Sequence, residues 1–318
     1  MTVNVTLNNP GASTFILVGF PGNKNVQVLY FIIFLLIYLF TLLGNIILLL
    51  TLKAESNLHT PMYFFLSNLA VLEIGYTSVT VPKLLEISLG KEGAISFPAC
   101  FMQTYFFFFL GSTECFLFAV MAYDRYLAIC HPLRYSTLMC NRVCIFLSLG
   151  SWITGFINPC PPVIVLSRLH YCDNIINHFF CDCVPLLSLS CSNTYVLSTA
   201  IFVSSFVIVL GTFLLIMLSY ACILVTLLRM SSATNRQKAF STCSAHLTVV
   251  LLFYGTVIFM YVSPTPQQTM EINKVVSFIY SVVTPMLNPI VYSLRNENVK
   301  KGLKRLMLRK FYPTSRTT

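Results

Sequence analysis

Seven stretches of this chain run almost without charge, each long enough to cross a bilayer, and that pattern restricts the fold more than any motif does. About 20 apolar residues in a helix span the roughly 30 Å hydrocarbon layer. Residues 26–52 hold no charge between Lys24 and Lys53, residues 61–82 are interrupted only by Glu73, and residues 97–123 only by Glu114. A fourth run lies between Arg142 and Arg168 and a fifth covers 195–228. A sixth follows Lys238 as far as Glu271, and a seventh follows Lys274 and ends at Arg295. Inside hydrocarbon each backbone polar group must be satisfied within its own segment, so seven runs predict seven helices. The expected fold class is an all-α membrane protein, a seven-transmembrane helix bundle with a short amphipathic C-terminal helix. Its parts are an extracellular segment 1–25, a membrane domain 26–295 and a cytoplasmic basic tail 296–318. Charged residues make up only 9% of the chain, against about 25% in soluble proteins, which excludes a soluble domain.

Cytoplasmic loops carry the excess of Lys and Arg. With the N-terminus outside, fifteen of these residues fall inside: Lys53, Arg125, Arg134, Arg142, Arg229, Arg236, Lys238, Arg295, Lys300, Lys301, Lys304, Arg305, Arg309, Lys310 and Arg316. Five remain outside: Lys24, Lys83, Lys91, Arg168 and Lys274. The net charge of +10 is therefore mostly a sidedness signal, and membrane lipid rather than nucleic acid is the expected partner. Asn4-Val5-Thr6 is an N-glycosylation acceptor that agrees with an external N-terminus. No cleavable signal pattern precedes the first run, so that span is expected to act as its own signal anchor. The expected location is the plasma membrane, multi-pass, with the C-terminus cytoplasmic. In the tail, the basic residues from Lys300 to Lys310 alternate with Val299, Leu303, Leu306, Met307 and Phe311. That spacing suits an amphipathic helix on the inner leaflet, with a disordered basic tail as the alternative.

Of twelve cysteines, Cys100 starts the third span on its outer side, while Cys172, Cys181, Cys183 and Cys191 fall in the following outer loop. An oxidising face and a long irregular loop favour disulfides, but spacing does not fix connectivity and five thiols leave one over. His178, Cys181, Asp182 and Cys183 also have metal-ligand chemistry, though a disulfide would consume a sulfur. Cys115, Cys144, Cys222 and Cys243 sit in or beside apolar runs, where a free thiol mostly packs as a small hydrophobe.

Two features carry switch chemistry. Asp124 and Arg125 adjoin at the inner end of the third run, within Met121-Ala122-Tyr123-Asp124-Arg125-Tyr126-Leu127-Ala128-Ile129-Cys130. An arginine there is held by a neighbouring carboxylate and polar groups of another helix, then released when helices separate; the plainer reading is a snorkelling arginine. Asn288-Pro289 precedes Tyr292 near the end of the seventh run, where proline breaks the backbone ladder as a hinge or a static kink.

These motifs, with Pro61-Met62-Tyr63-Phe64-Phe65-Leu66-Ser67-Asn68-Leu69-Ala70 and Lys238-Ala239-Phe240-Ser241-Thr242-Cys243-Ser244-Ala245-His246-Leu247, occur in order across all seven spans. The chain resembles an odorant receptor of the rhodopsin-like G-protein-coupled family, in the branch typical of land vertebrates. The resemblance implies a receptor, not an enzyme, with no cofactor. It would couple through Asp124, Arg125, Tyr126, Asn288, Pro289 and Tyr292 to a heterotrimeric G protein of the stimulatory, olfactory class and raise cyclic AMP. It implies the disulfides Cys100–Cys181 and Cys172–Cys191, leaving Cys183 free. The ligand positions it implies are Phe107, Phe108, Gly111, Ser112 and Cys115 on the third helix and Phe202, Ser205 and Phe206 on the fifth. Tyr254, Val257 and Tyr261 on the sixth and Phe278 and Ser281 on the seventh complete the set. None of these is ionisable at neutral pH without a strong shift, so a small, neutral, mainly apolar odorant is expected.

Glu73 and Glu114 are the carboxylates in mid-span and are expected to face the bundle interior. The family usually has aspartate where Glu73 stands. Asn45, Glu73, Glu114 and Asn288 would form a cluster that binds sodium or shares a proton, or else a hydrogen-bonded structural pair. Other functions fit less well. A receptor for a non-odorant small molecule keeps the same motifs. A transporter would more often show repeats or a line of charges, and an intramembrane enzyme would need a catalytic constellation in the spans.

Overall fold

The computed structural model describes residues 14–230, 232–262, 270–295 and 299–305. Asn4 lies outside these residues, as do the side chains of Tyr261 and Tyr292.

A short strand, β1 (Thr14–Leu17), precedes α1 (Lys24–Ala54), whose start is capped by Asn23 Oδ1 accepting the Val26 N–H at 3.1 Å. A 3₁₀ turn (Ser56–Leu58) leads to α2 (Pro61–Ser88), with proline at its first position, where no N–H is needed. Strand β2 (Ala94–Ser96) runs into α3 (Phe97–Cys130), capped by Ser96 Oγ accepting the Ala99 N–H. The helix continues two turns past the expected end at Tyr123 and carries Asp124 and Arg125 with it. After the single turn α4 (Tyr135–Leu138), the fourth span is built from α5 (Asn141–Ile157) and α6 (Cys160–Leu166), divided at Pro159. The loop beyond holds β3 (Ile175–Ile176) and α7 (Cys183–Ser188). Helices α8 (Tyr195–Arg229) and α9 (Ala233–Val262) follow. The last span is α10 (Met270–Phe278), a π-helical turn (Ile279–Val283) and α11 (Thr284–Arg295).

Among the described residues six helical spans are long and apolar enough to cross a membrane, with a shorter apolar stretch, His246–Phe259, in α9. This is the seven-helix bundle expected. The most apolar windows of α2, α3 and the last span are 50–56% buried, against 17% in α8 and 22% in α1, so those three spans form the interior of the bundle and α1 and α8 its outer side. Leu36 and Leu43 on α1 and Leu218 and Leu228 on α8 point outward. Exposed apolar surface on this scale is stable only against lipid, and the protein is a multi-pass membrane protein. Helices α3 and α5 approach closely at Gly155, where an added Cβ would collide with Thr113 Oγ1 and sit 3.0 Å from Phe109 O.

A three-stranded sheet, ordered β2-β1-β3, caps one end of the bundle, here the strand end. β1 pairs antiparallel with β2 (Thr14 opposite Ser96) and parallel with β3 (Ile16 opposite Ile175). Gly93 lies so close to Leu17 O that any side chain would strike the β1 backbone. At the tail end residues 299–305 are helical, with Val299 buried. Arg305 pairs with Glu55 at 3.1 Å, and Gly302 lies against Thr51 and Leu58. This first turn of the expected amphipathic tail therefore packs on the end of α1; residues 306–318 lie outside the described part.

Candidate functional site

A strap of loop from His178 to Cys183 closes the strand end of the bundle. Two disulfides fix it, Cys100–Cys181 and Cys172–Cys191, and Cys183 is a buried free thiol. Two hydrogen bonds reinforce the first bridge. Thr104 Oγ1 donates to Cys181 O at 2.7 Å and lies 3.0 Å from Cys100 O, while Gln103 Oε1 accepts the Cys181 N–H at 3.0 Å. Gln103 Nε2 in turn donates to Val79 O of α2 at 2.8 Å. Phe179 and Phe180 plunge from the strap into the core; Phe180 packs 4.3 Å from the Phe107 ring and Phe179 5.7 Å from Phe20. His178 is buried, and that burial, followed by the charge of Lys274, pushes its pKa down to about 3. Among the described residues no three His, Cys, Asp or Glu side chains are placed to hold a metal, and Cys181 spends its sulfur on the bridge.

Beneath the strap lies a cavity of about 120 Å³. Of the expected ligand positions, Phe107, Phe108, Gly111, Ser112, Cys115, Ser205 and Val257 line it. Five others do not. Phe202 and Phe206 stack on each other at 6.0 Å and are half exposed on the outer face of α8, because both faces of that helix are apolar. Tyr254 is drawn below the floor, its hydroxyl donating to Thr212 Oγ1 at 2.7 Å and lying 3.4 Å from Cys115 O. Phe278 belongs to a separate ring cluster with Phe34, 4.9 Å away, and Phe20. Ser281 is buried, donating to Ser277 O at 2.5 Å.

The cavity also has walls that the expected set lacked. Tyr76 and Tyr280 flank Phe107, with ring centroids 5.0 and 6.0 Å away. Ile201, Ile208, Val209 and Phe253 add apolar surface. Asn158 Nδ2 donates to Ser112 Oγ at 3.0 Å, a contact created where the fourth span breaks ahead of Pro159. Asp182, Cys183 and Val184 come from the strap. None of the expected ligand positions was ionisable at neutral pH, but Asp182, outside that set, brings a carboxyl into the lining. Its burial raises the carboxyl to about 6, opposed by the backbone amides of Cys183 and Val184. The Cys183 thiol is pushed up by burial and then by Asp182.

At mid-depth Asn288 Nδ2 donates to Glu73 Oε1, and Asn45 is a further hydrogen-bonding neighbour of Glu73. Glu114 stands within electrostatic reach of Glu73. Glu73 Oε2, Asn45 Oδ1, Asn288 Oδ1 and both Glu114 carboxyl oxygens are buried without a hydrogen-bond partner.

At the tail end Asp124 is fully buried, 3.7 Å from Arg125 Nε, and accepts the Tyr135 hydroxyl at 2.7 Å. Arg125 Nε also approaches Met62 Sδ at 3.3 Å, and its charge reaches Tyr220, Cys243 and His246. Tyr126 bonds His131 at 3.0 Å. Tyr220 Oη and His246 Nδ1, 2.7 Å apart, join α8 to α9. Sequence reasoning missed Tyr135, Tyr220 and His246, although His246 lies in a motif already singled out.

Comparison with known proteins follows the same lines. The family model described as olfactory receptor matches residues 34–310. Olfactory receptor 11L1 of Homo sapiens is 49% identical over 304 residues, covering 95% of this chain and 94% of its own. Olfactory receptor 6Q1 of Homo sapiens is 49% identical over 310 residues, covering 96% and 98%. Olfactory receptor 6B9 of Mus musculus is 47% identical over 299 residues, covering 94% and 95%. With seven spans, two loop disulfides and this match along nearly its whole length, the chain belongs to the olfactory receptor family, whose members are receptors and not enzymes.

Proposed function

We propose that the chain is an odorant receptor that binds a small, mainly apolar volatile molecule in the cavity under the strap. Binding there activates a heterotrimeric G protein of the stimulatory, olfactory class and raises cyclic AMP. The strand end, with Asn4 beyond it, faces outside and the tail end faces the cytoplasm. The observation that carries this reading is the continuity between cavity and helix ends. Cys115 lines the cavity, its carbonyl meets Tyr254 of α9, and α9 meets α8 again through His246 beside Arg125. A ligand that repositions Tyr254 thereby biases the contacts around Arg125, a two-state arrangement of packed helices. The cavity size suits few heavy atoms, since a void of about 150 Å³ accepts benzene.

The unpartnered oxygens of Glu73, Asn45, Asn288 and Glu114 form a donor set that fits a hard cation such as sodium, which would neutralise the paired carboxylates. Replacing both Glu73 and Glu114 by glutamine is expected to remove sodium dependence from signalling; unchanged dependence would end that reading.

The central test is the cyclic AMP response of expressing cells to neutral and charged volatiles, with Arg125→Ala as control. A response to small volatiles, lost in Arg125→Ala at equal surface level, is expected. A response that survives that substitution overturns the coupling assignment.

A further inference from the structure

Asp182 is a carboxylate at the wall of a mostly apolar cavity, and its position is built rather than incidental. The strap that carries it is fixed one residue earlier by the Cys100–Cys181 bridge, and Thr104 and Gln103 hold the Cys181 backbone on both sides. Asp182 is only 7% exposed. No Lys, Arg or His lines the cavity, and no ion pair to Asp182 occurs among the described residues. The backbone amides of Cys183 and Val184 approach the carboxylate, which still leaves acceptor capacity, because two carboxylate oxygens offer about four lone-pair sites. The other polar wall is different in kind. Ser112 Oγ already accepts the Asn158 amide, so its own hydrogen is directed elsewhere.

We infer that Asp182 is the specificity-determining acceptor of this cavity, selecting ligands that bear a hydroxyl or amine hydrogen over isosteres that lack one and over carboxylates. The inference rests on the cavity being the ligand site. A donor on the ligand takes the free lone pairs of Asp182 while its hydrocarbon part lies along Phe107, Phe108 and Val257. An ether of the same shape leaves the buried carboxylate unmatched, and a carboxylate brings a second negative charge against it with no cation among the described cavity walls to offset either.

Cys183 lines the same cavity and reports occupancy without any signalling step. The purified full-length receptor in lipid nanodiscs is treated with a maleimide in the presence of butan-1-ol, butylamine, methyl propyl ether or butanoate, and labelling at Cys183 is followed by peptide mass spectrometry. Butan-1-ol and butylamine are expected to protect at concentrations roughly 10- to 100-fold below those needed for the ether, with butanoate weakest. Asp182→Leu is expected to erase the preference, and Asp182→Asn, which keeps an acceptor oxygen, to retain that for butan-1-ol. Equal protection by alcohol and ether on the unsubstituted receptor needs no variant and overturns the inference while leaving the cavity as ligand site. Protection by none of the four, with cyclic AMP responses to them intact, overturns the cavity assignment itself.

Discussion

Thr104→Val removes one oxygen and leaves shape almost unchanged, so it isolates the hydrogen bond that clamps the strap. Thr104 Oγ1 has a single hydrogen, and the shorter contact, 2.7 Å to Cys181 O, takes it in preference to Cys100 O at 3.0 Å. Cys100 O is the acceptor a helical carbonyl normally shares with its own turn; Cys181 O sits in a loop without that alternative. The substitution therefore strands a buried carbonyl, at about 1–3 kcal/mol. Since ~1.4 kcal/mol is a factor of ten, the fraction of molecules with the strap lifted should rise roughly 5- to 140-fold. Cys183, 3% exposed, follows Cys181 by two residues and is labelled only from the lifted state. Its maleimide labelling rate at fixed pH should rise by that factor, while Cys140, already exposed, should react unchanged. Labelling of Cys183 at the parent rate, in a variant whose Cys100–Cys181 bridge is intact by mass, would refute the clamp.

Three further outcomes are expected. Gly155→Val should lower thermal stability by about 1–3 kcal/mol, since its side chain meets Thr113 at the α3–α5 crossing; a detergent melting curve matching the parent would count against that crossing. Tyr135→Phe deprives buried Asp124 of its 2.7 Å donor and should raise ligand-independent cyclic AMP; unchanged basal signal at equal surface level would show that the contact does not restrain Arg125. The strap's pH response should be nearly flat, because two buried groups oppose each other. His178, at about 3 when packed against 6.5 when free, loses strap stability as pH falls below about 6.5. Asp182, at about 6 against 3.8, favours the packed strap most at low pH and loses that advantage as pH rises through 6. Between pH ~4 and ~7 these trends nearly cancel, so His178→Phe should loosen the strap with rising pH and Asp182→Asn with falling pH, each on the order of 10- to 100-fold. Hydrogen exchange of residues 178–183, corrected for intrinsic rates, reads both; a flat profile in both variants would contradict the assignment.

The helices were legible because charge is so costly in hydrocarbon that Lys24, Lys53 and Arg142 mark their borders almost by themselves. The order of the motifs placed Asp124, Arg125 and Asn288 on the right spans. Helix faces were another matter. In the uncharged run 195–228 the inward face is marked only by hydroxyls at seven-residue spacing, Ser205, Thr212, Ser219 and Thr226, and Phe202 and Phe206, as apolar as core residues, gave no sign that they point outward to lipid. Tyr254 looked like a ligand hydroxyl because Thr212, forty-two residues earlier, gives no sequence signal of claiming it. Asp182 stood out in the sequence only for metal-ligand chemistry and not as a cavity wall, since its position depends on how an irregular loop folds over the bundle. Strands of two to four residues, as in β1, β2 and β3, are too short to display any alternation.

The sheet at the strand end sets a timetable for making the protein. β1 leaves the ribosome well before its partners, Ala94–Ser96 and Ile175–Ile176, the latter some 160 residues downstream. At about 5–20 residues per second, β1 waits on the order of 10–30 s for its second edge. Until residues 94–96 emerge β1 has no strand partner, and from then to the end of that interval only its β2 edge can be filled, so the first two helices are inserted without the complete cap that will join their ends. With the strand end facing the lumen as proposed above, newly made chains stalled before residue 175 should be the form that folding factors on that side hold longest.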